Sequence, residues 1–399
     1  MTNPARILPH QIRGLLPREG PVWLHGCSGW SATIRDALAG TNLAGVTLCG
    51  IFVPGVNRLD SLLEAGARVA SFFMLPELAG APEKVEYLPL SYREIAHWLT
   101  LNPPQAALFM VSPPDERGMC SFGPVHDFLV DLWPRIPLRI AQINPSVPRT
   151  HGATIPFAAL SATFEADEPL PESNPGTDPV AERIAMQAAR LVPEGATLQT
   201  GLGRIPDAVL RALTGHQGLA IHSGLIGDGA LHLLRSGAMR DEAPITAGVA
   251  IGSRQLYDAL PDPAFRFAPP SVTHDLRRLA GLERFVTVNS AMMVDIDGQV
   301  FAEASARGPV SGPGGASEFA AGARATGGLR IIALPSTAGG IGRIVAPGAG
   351  LGPVLLGRFD TDVVVTEHGT ADLRGLGATA RRAALVAIAD PAQREGLSG

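Results

Sequence analysis

The stretch VWLHGCSGWSATIRDALAG, residues 22–40, contains the unit from which the rest of the chain is built. Its first five residues have the apolar pattern of a strand, residues 27–29 form a turn of small residues, and a helical pattern then runs to Gly40. Further strands are predicted at 45–52, 106–113 and 139–145, and further helices at 91–102 and 124–133. Short strands that alternate with helices predict an α/β fold with a mostly parallel sheet.

The second half repeats this pattern after a change of composition. Residues 166–179 are rich in proline and acidic residues and lack apolar periodicity, which is typical of a linker. The next segment places Val180, Ile184, Ala188 and Leu191 on one face of a helix. We therefore predict an N-terminal α/β domain at residues 1–165, a linker at 166–179 and a C-terminal α/β domain at residues 180–399.

Composition excludes several classes of function. The chain has 399 residues, of which 46% are hydrophobic and 17% charged, and this is typical of a globular protein. The net charge is −5 and the basic residues are scattered, so neither nucleic acid nor an anionic membrane is predicted as a partner. Lys84 is the only lysine, which excludes a Schiff-base or P-loop lysine at every other position.

The cysteines and the apolar runs predict the compartment. Cys27, Cys49 and Cys120 lack the spacing of a disulfide framework or a zinc site, and no cluster of metal ligands is present in the sequence pattern. No signal peptide is recognisable, and no run approaches the ~18 apolar residues of a spanning helix. We expect a soluble cytoplasmic protein without a bound metal.

A first candidate site is QTGLGRIPD, residues 199–207. The pattern predicts a strand end, a glycine turn and a helix that begins at Pro206. Backbone N–H groups at such a helix start, with Arg204 beside them, suit a pyrophosphate. A plain strand-to-helix turn explains the same residues, because the third glycine of a dinucleotide fingerprint is missing.

A second candidate is SGPGG, residues 311–315, which follows a predicted strand. Its glycines allow the backbone to approach a ligand and to direct N–H groups at a developing oxyanion. A flexible hairpin loop is an equally good interpretation.

The third candidate is LAIHSGLIGDG, residues 219–229, a buried strand that ends in polar residues. His222, Asp228 and the more distant His274 are its titratable groups, although a histidine at a strand end often has only a structural hydrogen bond. The residues around Ser223 do not form the Gly-x-Ser-x-Gly elbow of a serine hydrolase. Gly224 lies in the middle of the stretch and has no side chain.

Several stretches together resemble the acetyl-CoA hydrolase/transferase family, which includes 4-hydroxybutyrate and acetate CoA-transferases. In chain order they are VSPPDERGMCSFG (111–123), AQINPSVPRTHG (141–152), QTGLGRIPDAVL (199–210), LAIHSGLIGDGALHLLRSGAM (219–239), VNSAMMVDIDGQVFAE (288–303), SGPGGASEF (311–319), IIALPSTAGG (331–340) and RFDTDVVVTEHGTADLRG (358–375). The resemblance extends from about residue 20 to residue 395.

The resemblance implies two similar α/β domains of the CoA-transferase fold, with mostly parallel sheets and with coenzyme A or acyl-CoA bound between them, usually in a homodimer. It implies that Gly315 supplies an oxyanion N–H. It also implies that CoA lies near these residues: Gly201, Leu202, Gly203, Arg204, Ile205, Met292, Ser311, Gly312 and Gly314. Arg330 is added because it neighbours Leu329, where relatives carry a CoA-binding lysine.

The sequence departs from the family at the position of the nucleophile. Such transferases use a glutamate that attacks the acyl thioester and then carries CoA as a glutamyl thioester until a second carboxylate collects it. The resemblance places that glutamate at Gly224, and it places an oxyanion-binding asparagine at His274. The glutamyl-CoA route is therefore predicted to be blocked.

Three functions remain open. The chain could hydrolyse an acyl-CoA with a water that lies in the space left at Gly224 and is activated by His222, His274 or Asp228. In the same site a carboxylate acceptor could instead attack the acyl group directly. It could instead be an inactive protein that binds CoA or acyl-CoA. A true CoA-transferase that takes its carboxylate from Glu303 or Glu318 is the third alternative. The sequence does not reveal the acyl group.

Overall fold

The computed structural model describes residues 3–242 and 244–397. Contacts between residues divide the chain into two compact units, one of residues 1–173 with 247–272 and one of residues 174–246 with 273–399. Each domain predicted from the sequence is one continuous segment, and residues 247–272 were included in the C-terminal domain. The contacts group these residues with the first unit instead. Residues 166–178 contain no helix or strand, and the linker there stays a prediction.

Residues 247–272 belong to the first unit because their backbone pairs with it. Val125 bridges Val249, and the N–H of His126 donates to the carbonyl of Gly248 at 2.8 Å. These bonds also correct the helix predicted at 124–133. Its first residues are extended, and the helix begins only after Asp127, whose carboxylate accepts a bond from the N–H of Leu129.

Ten of the described strands lie in residues 3–173 of the first unit. They are β1 Ala5–Arg6, β2 Gly20–Leu24, β3 Val46–Gly50, β4 Arg68–Ser71, β5 Val85–Tyr87, β6 Ala106–Val111, β7 Met119–Ser121, β8 Leu138–Ile143, β9 Thr154–Pro156 and β10 Ala162–Glu165. Eight of them form one sheet in the order β1-β10-β8-β6-β2-β3-β4-β5. All seven strand pairings in this sheet are parallel. All six residues of β6 are buried, as expected for a central parallel strand with both faces covered.

The strands that follow are β11 Thr197–Thr200, β12 Ala220–Ile226, β13 Ile245–Ala250, β14 Phe265–Phe267, β15 Phe285–Ser290, β16 Met293–Asp295, β17 Val300–Phe301, β18 Ala304–Ser305, β19 Gly308–Pro309, β20 Leu329–Ala333, β21 Thr337–Ala338, β22 Ile341–Gly342, β23 Ile344–Val345, β24 Val363–Thr366 and β25 Gly369–Asp372. Within the second unit the sheet runs β12-β11-β15-β20-β24-β25. Only β25, at the edge, is antiparallel to its neighbour.

The helices cover these sheets. They are α1 Ile12–Leu15, α2 Ala32–Ala39, α3 Asp60–Glu64, α4 Pro76–Ala79, α5 Tyr92–Leu101, α6 Phe128–Leu132, α7 Pro179–Ala189, α8 Arg204–Ala212, α9 Asp228–Arg235, α10 Arg254–Ala259, α11 Pro270–Thr273, α12 Leu276–Leu279, α13 Ala316–Ala325, α14 Ala378–Ala387 and α15 Arg394–Leu397. Helix α5 starts at a capping box of Ser91 and Glu94. Among the described helices, none is long and apolar enough to cross a membrane.

Both units share one strand topology. In the first unit β2 lies between β3 and β6, and in the second β11 lies between β12 and β15. In each case the chain first adds strands on one side, β3 to β5 in the first unit and β12 in the second, and then builds up the other side with β6, β8 and β10 or with β15, β20 and β24. The predicted α/β class with mostly parallel sheets is confirmed.

Candidate functional site

The candidate site of the second unit lies where its strand order reverses. From β11 the chain moves to β12 on one side and then to β15, β20 and β24 on the other. In open α/β sheets, the loops at the carboxyl ends of the two strands beside this switch point enclose a crevice that binds ligands. Gly201 follows β11 and Met292 lies just after β15. The fold therefore brings two predicted CoA-contacting segments to one edge of the sheet.

The loop after β11 leaves a helix start without a side-chain cap. Gly203 precedes α8 with φ +125°, a conformation that favours glycine, and no side chain caps the helix. Helix α8 begins at Arg204 rather than at the predicted Pro206. The exposed guanidinium of Arg204 lies 3.3 Å from a carboxylate oxygen of Asp178. Backbone N–H groups and a cation thus meet at this helix start, an arrangement that suits a phosphate.

The equivalent helix of the first unit is closed by its own side chains. The N–H groups of Ala32 and Thr33 each donate to the carboxylate of Glu168 at 3.0 Å, and the N–H of Ile34 donates to the Ser31 hydroxyl at 2.9 Å. An internal carboxylate thus takes the place that an anion would occupy at the start of α2. This difference favours α8 over α2 as an anion site.

His222 has a defined hydrogen bond at the end of β12. Its Nε2 lies 3.0 Å from the carbonyl oxygen of Thr273, and because a carbonyl only accepts, Nε2 carries the proton. Burial lowers the pKa of His222, with a smaller contribution from Arg278. A neutral ring protonated at Nε2 has its lone pair on Nδ1. His222 and Gly224 are two residues apart on a strand, so they face the same side of the sheet.

The ring of His274 fills the space beside Gly224. A β-carbon built on Gly224 would lie 2.8 Å from His274 Cε1 and 2.9 Å from Nε2. A β-carbon on Gly315 would be closer still to Nε2 and Cδ2 of the same ring. The Phe319 ring packs against the imidazole with centroids 4.7 Å apart. An imidazole edge therefore lies directly beside Gly224, and the attack by a water at this position stays a prediction.

Burial controls the charge of His274. The side chain is 8% exposed, and desolvation lowers its pKa to about 3, with the nearby His222 adding to the effect. Its Nδ1 lies 2.9 Å from the Thr273 hydroxyl. The ring is thus neutral at physiological pH. Thr273 contacts the ring edge that lies opposite to the edge facing Gly224 and Gly315.

The glycine loop ends at a helix start. Gly314 has φ +58°, and Gly315 immediately precedes the ten-residue helix α13 without a side-chain cap. The Ser311 hydroxyl makes a long contact of 3.4 Å to the carbonyl of Gly312. The uncapped start of α13 therefore lies next to His274, and the oxyanion role of Gly315 stays a prediction.

Three further residues predicted for the site are Arg330, Met292 and Asp228. Arg330 makes two bonds to the carboxylate of Asp362, at 2.8 and 2.6 Å, and one to the carbonyl of Phe359 at 2.9 Å. These internal partners disfavour its predicted contact with CoA. The carbonyl of Met292 accepts a bond of 2.6 Å from Arg343. Asp228 is the half-buried first residue of α9.

Sequence reasoning missed two members of the site, Thr273 and Phe319. Thr273 is adjacent to His274 and contacts both histidines, and Phe319 lies one helical turn after Gly315. The spacing of Phe319 from the glycine loop was a usable signal, whereas nothing in the sequence relates Thr273 to His222. No group of three potential metal ligands is found in residues 3–242 and 244–397.

Comparison with known proteins relates this arrangement to enzymes of CoA metabolism. The acetyl-CoA hydrolase/transferase C-terminal domain family matches residues 252–399. A 4-hydroxybutyrate coenzyme A transferase of Clostridium kluyveri is 34% identical over 79% of this chain and 76% of its own length.

Two solved structures cover nearly the whole chain. RipA from Yersinia pestis is 25% identical with a TM-score of 0.89, over 99% of this chain and 96% of that one. A 4-hydroxybutyrate CoA-transferase from Porphyromonas gingivalis is 28% identical with a TM-score of 0.79, over 98% of this chain and 96% of that one.

Proposed function

Because the chain belongs to the acetyl-CoA hydrolase/transferase family, we propose that it acts on an acyl-CoA thioester and passes the acyl group to water, or directly to a carboxylate, without a glutamyl-CoA intermediate. The observation that carries this proposal is the packing of His274 against Gly224. A glutamyl thioester needs a carboxyl side chain, and residue 224 has none. The imidazole lies where such a side chain would begin.

The residues around Gly224 supply the parts that hydrolysis needs. Water attacks the thioester carbonyl carbon and gives its proton to Nδ1 of His222. The C–S bond then breaks, and the leaving thiolate takes that proton back as the free CoA thiol. Donors beside the carbonyl, from the start of α13 and from His274, stabilise the negative charge on oxygen. Such donors commonly contribute on the order of a hundredfold in rate.

The start of α8 is the proposed phosphate subsite for CoA. Its support is the uncapped helix at Gly203 and the cation of Arg204, in contrast to the capped helix α2. Gly201, Leu202 and Ile205 complete the loop. We also expect a homodimer, which light scattering of the purified protein tests directly.

Thiol release from acyl-CoA tests the proposal. Purified protein is incubated with acetyl-, butyryl- and succinyl-CoA, with and without acetate or succinate as acceptor, and both free CoA and newly formed acyl-CoA are followed. Release without acceptor supports hydrolysis. In direct transfer the acceptor carboxylate attacks the thioester to give a mixed anhydride and CoA thiolate, and the thiolate then attacks the acceptor's carbonyl to give the new acyl-CoA and the free acid. Acceptor-dependent formation of that acyl-CoA without a CoA adduct on the protein supports this route.

Two outcomes would contradict the proposal. A protein adduct with the added mass of CoA would show a hidden carboxylate, for which Glu303 and Glu318 are the first residues to replace with glutamine. Binding of CoA without turnover of any thioester would indicate a binding protein. A His222→Phe variant is the matched control, because it removes the proposed base and keeps an aromatic ring in the strand.

A further inference from the structure

Thr273 joins the two histidines of the candidate site. It is fully buried, at the end of α11 and directly before His274. Its carbonyl oxygen accepts the Nε2–H of His222 at 3.0 Å, and its hydroxyl oxygen lies 2.9 Å from Nδ1 of His274. One residue therefore sets the orientation of both rings.

We propose that Thr273 is a positioning residue whose hydroxyl donates to Nδ1 of His274, so that the proton of that ring is on Nε2 and is directed at the thioester oxygen beside Gly315. The proposal rests on the proposed function and adds a division of labour to it. His274 is a hydrogen-bond donor, and His222 is the base.

The geometry supports this division. Nε2 and Cε1 of His274 form the edge that faces Gly224, and Nε2 is also the atom nearest to Gly315 together with Cδ2. Nε2 is therefore the ring atom that lies close to both glycines. In the other tautomer this atom would carry a lone pair, which repels a developing oxyanion.

The protonation chemistry agrees with the geometry. A buried imidazole that resists protonation is a weak base, but its single N–H remains a good donor to an oxyanion. His222 has the opposite assignment, because the Thr273 carbonyl fixes its proton on Nε2 and leaves the lone pair on Nδ1. His274 gives up no proton during the reaction, and the proton of the attacking water travels only through His222.

The tautomer of His274 is measured directly by nitrogen-15 NMR of protein labelled at histidine. The chain has ten histidines, and the resonances of His274 are assigned by their loss in a His274→Asn variant. We expect the Nε2–H tautomer in the unmodified protein. An Nδ1–H tautomer would overturn the inference, whether or not the protein hydrolyses thioesters.

Two variants of Thr273 test whether the hydroxyl acts through the ring. Thr273→Val keeps the shape and removes the hydroxyl, and we expect a mixture of His274 tautomers and a kcat lowered about tenfold or more at nearly unchanged KM. Thr273→Ser should restore both the tautomer and kcat to within about threefold. Equal loss in both variants, or a Val variant with the unmodified tautomer and rate, would contradict the positioning role.

The two hypotheses fail in different ways. If no thioester is turned over but Thr273→Val changes the His274 tautomer, the proposed function fails and the positioning role of Thr273 stands. If thioesters are hydrolysed while His274 carries its proton on Nδ1, the proposed function stands and the positioning role fails.

Discussion

The Cε1 atom of His274 lies 2.8 Å from the point that a β-carbon on Gly224 would occupy. Real β-carbons do not approach a ring atom so closely, so a side chain at 224 and the present position of His274 exclude each other. Glycine at one position and histidine at the other therefore form a matched pair. The first two predictions follow from this pair.

A Gly224→Glu substitution alone should not create CoA-transferase activity. The new side chain must displace the His274 ring, and overpacking of this kind costs about 1 to 3 kcal/mol of unfolding free energy. The double variant Gly224→Glu with His274→Asn frees the space and should gain acceptor-dependent CoA exchange. Exchange assays and urea unfolding measure the two effects.

Gly215→Ala serves as the control for stability, since a β-carbon there meets no atom within 4 Å. Full transferase activity in the single Gly224→Glu variant would mean that His274 moves away at little cost, and would contradict the matched-pair interpretation.

Replacement of His274 separates a donor role from a base role. His274→Asn keeps an N–H donor in a smaller side chain, so we expect kcat within about tenfold of the unmodified protein. His274→Leu removes the donor and should lose about a hundredfold, the usual effect of deleting one oxyanion contact. Steady-state thiol release gives both values. Equal loss in the two variants would indicate that His274 acts as a base or only by packing.

The side chain of Arg204 should affect the KM only of substrates that carry phosphates. We expect Arg204→Gln to raise KM for acyl-CoA about tenfold with kcat unchanged, because a cation at a helix start binds phosphate without touching the reacting carbonyl. The same variant should act normally on an acyl-pantetheine, which lacks the phosphates. Arg190→Gln replaces an exposed arginine at the end of α7 and is the matched control.

The sequence predicts the sheets well because strand periodicity is local. Strand β6 is a continuous apolar run, and four of the six residues of β8 are apolar, so their positions follow from residues next to each other in the chain. The predicted start of α6 was wrong because it depends on residues far away in the chain. Its first predicted turn is extended because it pairs with residues 248–250, more than a hundred positions away.

The same distinction applies to the site. The glycine loops at 201–203 and 311–315 were identified from local composition, and the fold places both at helix starts. The filling of the Gly224 space by His274 could not be predicted, since it depends on how a segment fifty residues later is folded. Arg330 was assigned to CoA because it neighbours Leu329, where relatives carry a CoA-binding lysine, and its partner Asp362 was not recognisable in the sequence.

A last prediction concerns three buried titratable groups of the first unit. His25, His126 and Asp127 are each at most 3% exposed. Burial lowers the pKa of His25 to about 3 and that of His126 to about 4, and burial raises the pKa of Asp127 to about 7. Between pH 4 and 6.5 the unfolded chain therefore binds protons at both histidines, whereas the folded chain binds one at Asp127.

In that window the unfolded state holds one proton more than the folded state, counting two histidines against one aspartic acid. These groups thus make the unfolding free energy rise with pH by about 1.4 kcal/mol per pH unit. Asp127→Asn keeps the acceptor for the Leu129 N–H and removes the opposing titration, so the contribution should about double. Urea unfolding at several pH values measures the slope, with the exposed Asp241→Asn as control. An unchanged slope in Asp127→Asn would contradict this prediction, because it would show that Asp127 is ionised in the folded protein while His25, whose Nε2 lies 3.6 Å from the carboxylate, stays neutral.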